Sequence, residues 1–247
     1  MDLLDPVLAE NVARHDPSDF FTISQFLLGI RYYEARLRAI FPRGGVLLDV
    51  GCGAGNWSLA GASLYDKIIA LDRHEGRLHL AGELIRKMHV EDKVDILCAD
   101  ASILPIPEAS IDHVLCFNVL PFLDKEYTML FRKFRNVIRR NGHMYIAATG
   151  PGYIIYLFRL ALHQRTQAQT EQFITTFQRN VRYLLRLRPN PASFVGQRTL
   201  MESSSRTGWR LVHAGAEGSL SSASLGSIFT PTYMGMPFMR EYLFEAV

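Results

Sequence analysis

The stretch VLLDVGCGAGNWS, residues 46–58, decides the fold of this chain. Val46 to Val50 is short, apolar and β-branched at both ends, the composition of a buried strand. Gly51, Gly53 and Gly55 follow at once, and glycine lets a backbone turn tightly against a ligand. A helix is expected from about Trp57. A strand, a glycine turn and a helix in thirteen residues place the chemistry at the carboxyl end of that strand.

Such a unit resembles the nucleotide-binding βα turn, in which backbone N–H groups at a helix start face the ligand. A dinucleotide site asks for G-x-G-x-x-G, and Gly51, Gly53 and Asn56 hold its three glycine positions, so the third glycine is missing. Asp49 stands two residues before the first glycine. Its charge would repel a pyrophosphate and suits a ligand carrying an ammonium group, which favours an amino-acid conjugate of adenosine. The segment looks like the first motif of the class I S-adenosylmethionine (SAM) dependent methyltransferases, whose D-x-G-x-G-x-G matches Asp49, Gly51, Gly53 and Gly55. That resemblance implies SAM as cofactor and S-adenosylhomocysteine (SAH) as product, with Cys52, Asn56 and Trp57 lining the same turn.

The rest of the chain supplies landmarks in the order such a family requires. Alternating strand-like and helix-like stretches argue for a mainly parallel sheet with crossover helices. A second strand spans Lys67 to Leu71 and ends at Asp72. An acid there, about 20 residues beyond the glycine turn, is placed to accept hydrogen bonds from ribose hydroxyls, with Arg73 and His74 beside the adenine. A helix over Glu75 to Met88 and a strand over Val94 to Leu97 lead to Asp100 and Ala101. The resemblance implies that Asp100 recognises the adenine amino group and that the backbone N–H of Ala101 meets the ring; a plain loop-capping role for Asp100 is the alternative. A fourth strand, Asp112 to Phe117, ends beside the glycine loop, so Phe117 and Asn118 border the methionine portion. Base-methylating relatives often carry N-P-P-F or N-P-P-Y here, and N-V-L-P-F weakens that reading. A helix over Tyr127 to Arg139, a turn at R-R-N-G-H and a strand over Met144 to Ala148 follow. A sixth strand is expected over residues 208–214, and the last twenty residues hold an antiparallel seventh.

The expected fold is therefore α/β, a Rossmann-like, doubly wound, mainly parallel seven-stranded sheet. The 247 residues are read as one methyltransferase domain: a helical N-terminal cover (1–44), a SAM-binding core (45–150), a helical acceptor or lid insertion (151–196) and the C-terminal part of the sheet (197–247). Nearly half the residues are hydrophobic, and 27 basic against 24 acidic side chains leave +3, which sets no strong partner preference. Cys52, Cys98 and Cys116 show no C-x-x-C pairing and are read as buried small hydrophobes in a reducing cytoplasm. The first ten residues carry acids where a signal peptide carries basic residues, and no apolar run approaches 18, so a soluble intracellular protein is expected.

Acceptor choice is expected from the parts outside the shared core. Residues 151–196 hold six arginines, Arg159, Arg165, Arg179, Arg182, Arg186 and Arg188, against the single acid Glu171. Guanidinium groups pair bidentately with carboxylates and phosphates, which points to an anionic acceptor; a solvated helix face is the competing reading. Tyr153, Tyr156 and Arg159 are the candidate substrate contacts. The apolar residues between the arginines fit a packed lid, an aromatic or lipid-like acceptor or a membrane surface, while +3 overall gives nucleic acid little support. In the first region Tyr33 is the candidate cofactor contact, against core packing of a helix.

Little side-chain chemistry is obligatory, since alignment and exclusion of water carry methyl transfer. For a hydroxyl acceptor a general base helps. His113 and His143 stand at strand starts, on the wrong edge of the sheet, and His163 in the insertion is the best placed; a structural histidine there is the alternative. No His and Asp pattern has metal-ligand spacing. The leading reading is a SAM-dependent methyltransferase acting on a small molecule, with oxygen preferred over nitrogen. The alternatives are a protein or RNA methyltransferase docking through the arginines and a non-catalytic SAM-binding partner or sensor.

Overall fold

The computed structural model describes residues 29–120, 127–150, 152, 197–220, 232–237 and 239–247. In chain order the elements are α1 (Gly29–Ile40), β1 (Val46–Val50), α2 (Asn56–Gly61), β2 (Lys67–Asp72), α3 (Glu75–Lys87), β3 (Val94–Cys98), β4 (Ile111–Phe117), α4 (Tyr127–Val137), β5 (Ile138–Thr149), α5 (Gln197–Ser205), β6 (Trp209–Ala216), β7 (Thr232–Tyr233), β8 (Met236–Pro237) and β9 (Met239–Ala246). The Arg-rich segment, with His163, Tyr153, Tyr156 and Arg159, lies outside the described residues. So do the first 28 residues of the expected cover.

Seven strands form one sheet in the order β3-β2-β1-β4-β5-β9-β6. The first five pair in parallel, and β9 enters antiparallel between β5 and β6. The chain order reverses at β1, which has β2 on one side and β4 on the other; open α/β sheets bind ligands at such a switch point. β1 is nearly all apolar because a central parallel strand is covered on both faces. Alternation sends its neighbours opposite ways. Leu47, Leu115 and Tyr145 face a core shared with Leu37, Trp57 and Leu84, and Leu48, Val114 and Ile146 face one shared with Phe131, Phe134 and Phe244. This is the doubly wound arrangement expected.

The crossover helices follow their apolar stripes. In α4, Tyr127, Leu130, Phe131, Phe134 and Val137 recur at helical spacing and are the buried residues. α3 buries Leu78, Ala81, Leu84 and Ile85, with Glu75 in its first turn and Arg86 and Lys87 in its last, each sign complementing the helix dipole. Among the described residues no helix is long and apolar enough to cross a membrane.

Three expectations are corrected. β5 begins at Ile138, not Met144: the polar R-R-N-G run is a bulge inside the strand, since Ile111 pairs with Ile138 and His113 with His143. The preceding helix therefore ends at Val137. Cys98 is exposed, because β3 is an edge strand, whereas Cys52 and Cys116 are buried as expected.

Candidate functional site

The glycine turn forms because β1 stops against β2: the N–H groups of Gly51 and Cys52 both donate to Leu71 O, at 2.7 and 3.0 Å. Gly51, Gly53 and Gly55 all take positive φ, at 69°, 58° and 86°. Two of them are also spatially constrained. A Cβ on Gly51 would meet Val119 Cγ2 at 2.4 Å, and one on Gly55 would meet Ala81 at 3.2 Å. Above Gly53 nothing lies within 4 Å of a Cβ. The turn thus packs its first and third glycines into the protein and leaves the middle one facing open space. Gly51→Ala is expected to cost roughly 2 kcal/mol, mostly the left-handed backbone penalty, read as a lower urea midpoint with unchanged slope.

Asp72 ends β2 directly beside this turn. Its Oδ2 accepts the Gly53 N–H at 3.0 Å and its Oδ1 the His74 N–H at 2.9 Å, so the carboxylate braces the loop while each oxygen keeps a lone pair. At the end of β3, Asp100 Oδ1 accepts the Ser102 N–H at 2.7 Å, and its Oδ2 stands 3.8 Å from Arg73 Nη1. The Ser102 hydrogen bonds hold Asp100 below the usual carboxylate range, with burial opposing them and Arg73 and Lys133 adding to them. The neighbouring Ala101 is buried. Both acids therefore lie on the β2 and β3 side of the turn.

Asp49 is in a different environment. It is 1 % exposed, and the Ser58 hydroxyl donates to its Oδ2 at 2.6 Å. Burial pushes its pKa up to about 7, the Ser58 hydrogen bonds oppose that rise, and the charge of Asp72 adds to it. Ser58 was missed in the sequence; its signal was a hydroxyl two residues into a helix that otherwise reads as apolar.

The aromatic residues connect the cover to the turn. Tyr33 on α1 is buried, its ring edge-on to Trp57 at 4.8 Å, and Trp57 packs on Phe117 at 5.1 Å. Burial and then Tyr32 push the Tyr33 pKa up, and the neighbouring Asn56 side chain opposes that rise. Asn56 fills the third glycine position of the dinucleotide pattern, and in this chain it serves as the link between α1 and α2. At the end of β4, Asn118 adopts φ 57° and donates its N–H to Ala147 O at 2.7 Å. Its buried Oδ1 has no partner among the described residues, nor has Asn56 Oδ1.

Gly51 to Asn56, Asp72, Arg73, Asp100, Ala101, Phe117 and Asn118 thus gather around the ends of β1 to β4, with Asp49, Trp57 and Tyr33 packed close to the turn. An open glycine, two carboxylates and an amide oxygen without a partner among the described residues make a lining rich in acceptors, which suits a ligand rich in hydrogen-bond donors. Among the described residues no group of three or more His, Cys, Asp or Glu can hold a metal. His113 and His143 pair across β4 and β5 at the opposite edge, as expected.

Residues 48–146 match the family described as "Methyltransferase domain". The biotin biosynthesis bifunctional protein BioHC of Cellvibrio japonicus is 31% identical over 113 residues, 46% of this chain and 21% of that protein. The malonyl-[acyl-carrier protein] O-methyltransferase of a Methylovorus species is 27% identical over 133 residues, 52% of this chain and 45% of that protein. This chain thus spans less than half the length of these two curated relatives. In fold it is similar to the geranyl diphosphate C-methyltransferase of Streptomyces coelicolor, solved with Mg2+, geranyl diphosphate and SAH, at TM-score 0.61 and 12% identity, covering 99% of this chain and 88% of that one.

Proposed function

We propose that this chain is a class I SAM-dependent methyltransferase, moving a methyl group from SAM to a small-molecule acceptor, on oxygen and in an anionic compound; the match of residues 48–146 to the methyltransferase-domain family supports the reading. The observation that carries the reading is the convergence of Asp72 and Asp100 on one side of a glycine turn whose middle residue faces open space. Oxygen is favoured because one similar protein is a named O-methyltransferase, and an anionic acceptor because of the arginines of residues 151–196.

The cofactor supplies an electrophilic methyl group on a sulfonium, so the protein has to bind, align and exclude water. Asp72 accepts the ribose hydroxyls with the lone pairs that Gly53 and His74 leave free. Asp100 accepts from the adenine amino group, and the Ala101 N–H faces the ring. Arg73, 3.8 Å away, adds to the Ser102 hydrogen bonds that keep Asp100 ionised. Asn118 Oδ1 gains the partner it lacks by accepting from the ammonium group, and Phe117 borders the methionine chain. Asp49 lies beneath the turn and supplies negative charge to the same ammonium through the backbone. Tyr33 fixes Asn56 and so the start of α2. Tyr153, Tyr156 and Arg159 are proposed as acceptor contacts and His163 as the general base for a hydroxyl acceptor; a carboxylate acceptor needs no base.

Calorimetric titration tests this directly. Asp72→Ala and Asp100→Ala are each expected to weaken SAM and SAH binding tenfold or more, since a hydrogen bond to a charged acceptor is worth about 1.5–3 kcal/mol. Because Asp72 braces Gly53 and Asp100 holds the Ser102 N–H, each alanine variant is paired with its asparagine counterpart, which keeps an oxygen for the loop N–H: weakened binding in the asparagine variants at an unchanged urea midpoint separates ligand contact from loop support. A folded wild type that binds neither SAM nor SAH overturns the reading. SAH formation with carboxylate and hydroxyl acceptors then distinguishes a transferase from a binding module.

A further inference from the structure

A cleft lies at the amino edge of the sheet, the edge opposite the glycine turn. Its volume is about 260 Å³, and Arg43, Asp112, His113, Arg140, Asn141 and His143 line it. The bulge in β5 builds one wall. Between the pairs Ile111 with Ile138 and His113 with His143, β5 carries three more residues than β4, so Arg139 to Gly142 arch away from the ladder. Asn141 takes φ 63°, and a Cβ on Gly142 would meet Asp112 O and Ile138 Cγ1, each at 2.7 Å. The loop of Gly44 and Gly45 before β1 forms the facing wall, with Asp112 Oδ2 accepting the Val46 N–H at 2.7 Å.

The polar groups in this cleft are unequally satisfied. Asp112 is partly neutralised within the wall: burial raises its pKa, but Arg139 and the Val46 N–H, both on Oδ2, outweigh that and hold it below the usual carboxylate range. Arg43 and Arg140 are exposed and have neither an ion pair nor a hydrogen bond among the described residues. His113 is 6 % exposed and stacks on Phe41 at 4.9 Å, with the His143 ring 5.7 Å away. Burial, then His143, push the His113 pKa down to about 4, and burial lowers that of His143 as well. Both rings are therefore neutral near pH 7, and each has a buried Nδ1 with no partner among the described residues. A neutral imidazole has one N–H and one bare nitrogen, so it can meet either an acceptor or a donor.

Two unpaired guanidinium groups call for an oxyanion. The two neutral imidazoles that line the same cleft can each offer it an N–H or a bare nitrogen. A carboxylate at neutral pH only accepts, whereas a hydrogen-phosphate group offers charged oxygens and an O–H together. We propose that the amino-edge cleft is a phosphate-binding site, with Arg43 and Arg140 clamping the oxyanion and His113 and His143 meeting its remaining oxygens. It is separate from the proposed methyl-transfer site, on the other edge of the same sheet.

The test uses the full chain saturated with SAH, so that the glycine turn is occupied. Inorganic phosphate and glycerol 3-phosphate are titrated at constant ionic strength, against sodium chloride as control, by calorimetry and by the imidazole resonances of His113 and His143. Saturable binding with shifts at both rings is expected. Arg43→Gln with Arg140→Gln should weaken it at least tenfold, and both substitutions are at exposed, unpaired side chains, so folding is preserved. Phosphate binding alone identifies the free ion; equal binding of glycerol 3-phosphate identifies the phosphoryl group of a larger metabolite. Non-saturable effects matched by chloride, or equal affinity in the double variant, overturn the proposal.

Discussion

Arg36→Leu is expected to destabilise the protein by about 3–5 kcal/mol at pH 8, the cost of removing one partner from a buried ion pair. Arg36 on α1 is fully buried, and its Nη2 donates to Glu217 Oε1 at 2.8 Å, Glu241 Oε2 at 3.1 Å and the Tyr145 oxygen at 3.2 Å. Glu217 and Glu241 are buried too. Glu241 also accepts from the Tyr145 hydroxyl at 2.8 Å and the Gly218 N–H at 2.9 Å. Without the guanidinium, two carboxylates remain in the core with no cation between them. Arg36 itself has two donors, Nε and Nη1, with no partner among the described residues, so its geometry serves the carboxylates more than it serves Arg36.

The pH dependence separates this account from simple loss of packing. In the wild type, burial raises the Glu241 pKa, but the Gly218 N–H, Tyr145 and Arg36 outweigh it and hold the group below its ordinary value. That stabilisation is present above the unfolded pKa and is lost as pH falls. In the variant the carboxyls favour the protonated form, the folded pKa rises, and stability grows as pH falls toward 5. Denaturant unfolding at pH 5 and pH 8 should therefore show a deficit that shrinks in acid. A pH-independent deficit, or one under about 1 kcal/mol as for an exposed pair, would reject it. Because α1 also carries Tyr33 against Asn56 and Trp57, the variant should bind SAM and SAH more weakly than its residual folding explains.

This cluster was invisible in the sequence, while the glycine turn was plain. The turn, Asp72 and Asp100 are read from local order: each stands at the end of an apolar run, and the structure ends β1, β2 and β3 within two residues of them. Arg36 is 181 residues from Glu217 and 205 from Glu241, and no periodicity in α1 marks an arginine as buried. The start of β5 was hidden for another reason. R-R-N-G has turn composition, and a bulge uses turn residues inside a ladder without ending it. Cys98 failed because apolar context predicts burial only where a strand has a neighbour on each side. Acceptor recognition is expected from residues 151–196, of which only Gly152 is among the described residues.

Asp49→Asn is expected to act in opposite directions on stability and on cofactor affinity. A carboxyl raised from 3.8 to about 7 binds its proton more tightly in the folded state, so stability declines as pH rises between those values. Above pH 7 the ionised group costs on the order of 4 kcal/mol. Asparagine keeps an oxygen for the Ser58 hydroxyl and carries no charge, so the cofactor-free variant should gain about 2–4 kcal/mol at pH 8 and lose the downward slope between pH 4 and 7. The proposed ammonium partner reverses the balance, because a cation above the turn favours the ionised carboxylate. Wild-type affinity for SAH should then rise with pH up to about 7, with proton release visible as a dependence of binding heat on buffer, and the variant should bind at least tenfold more weakly without that dependence. Equal stability of the two proteins at pH 8 would show that Asp49 is not strained by burial. Equal affinity would remove it from the cofactor site while leaving Asp72 and Asp100 in place. A gain in stability together with a loss of affinity is the combination expected of a charge kept in a buried position for the ligand rather than for the fold.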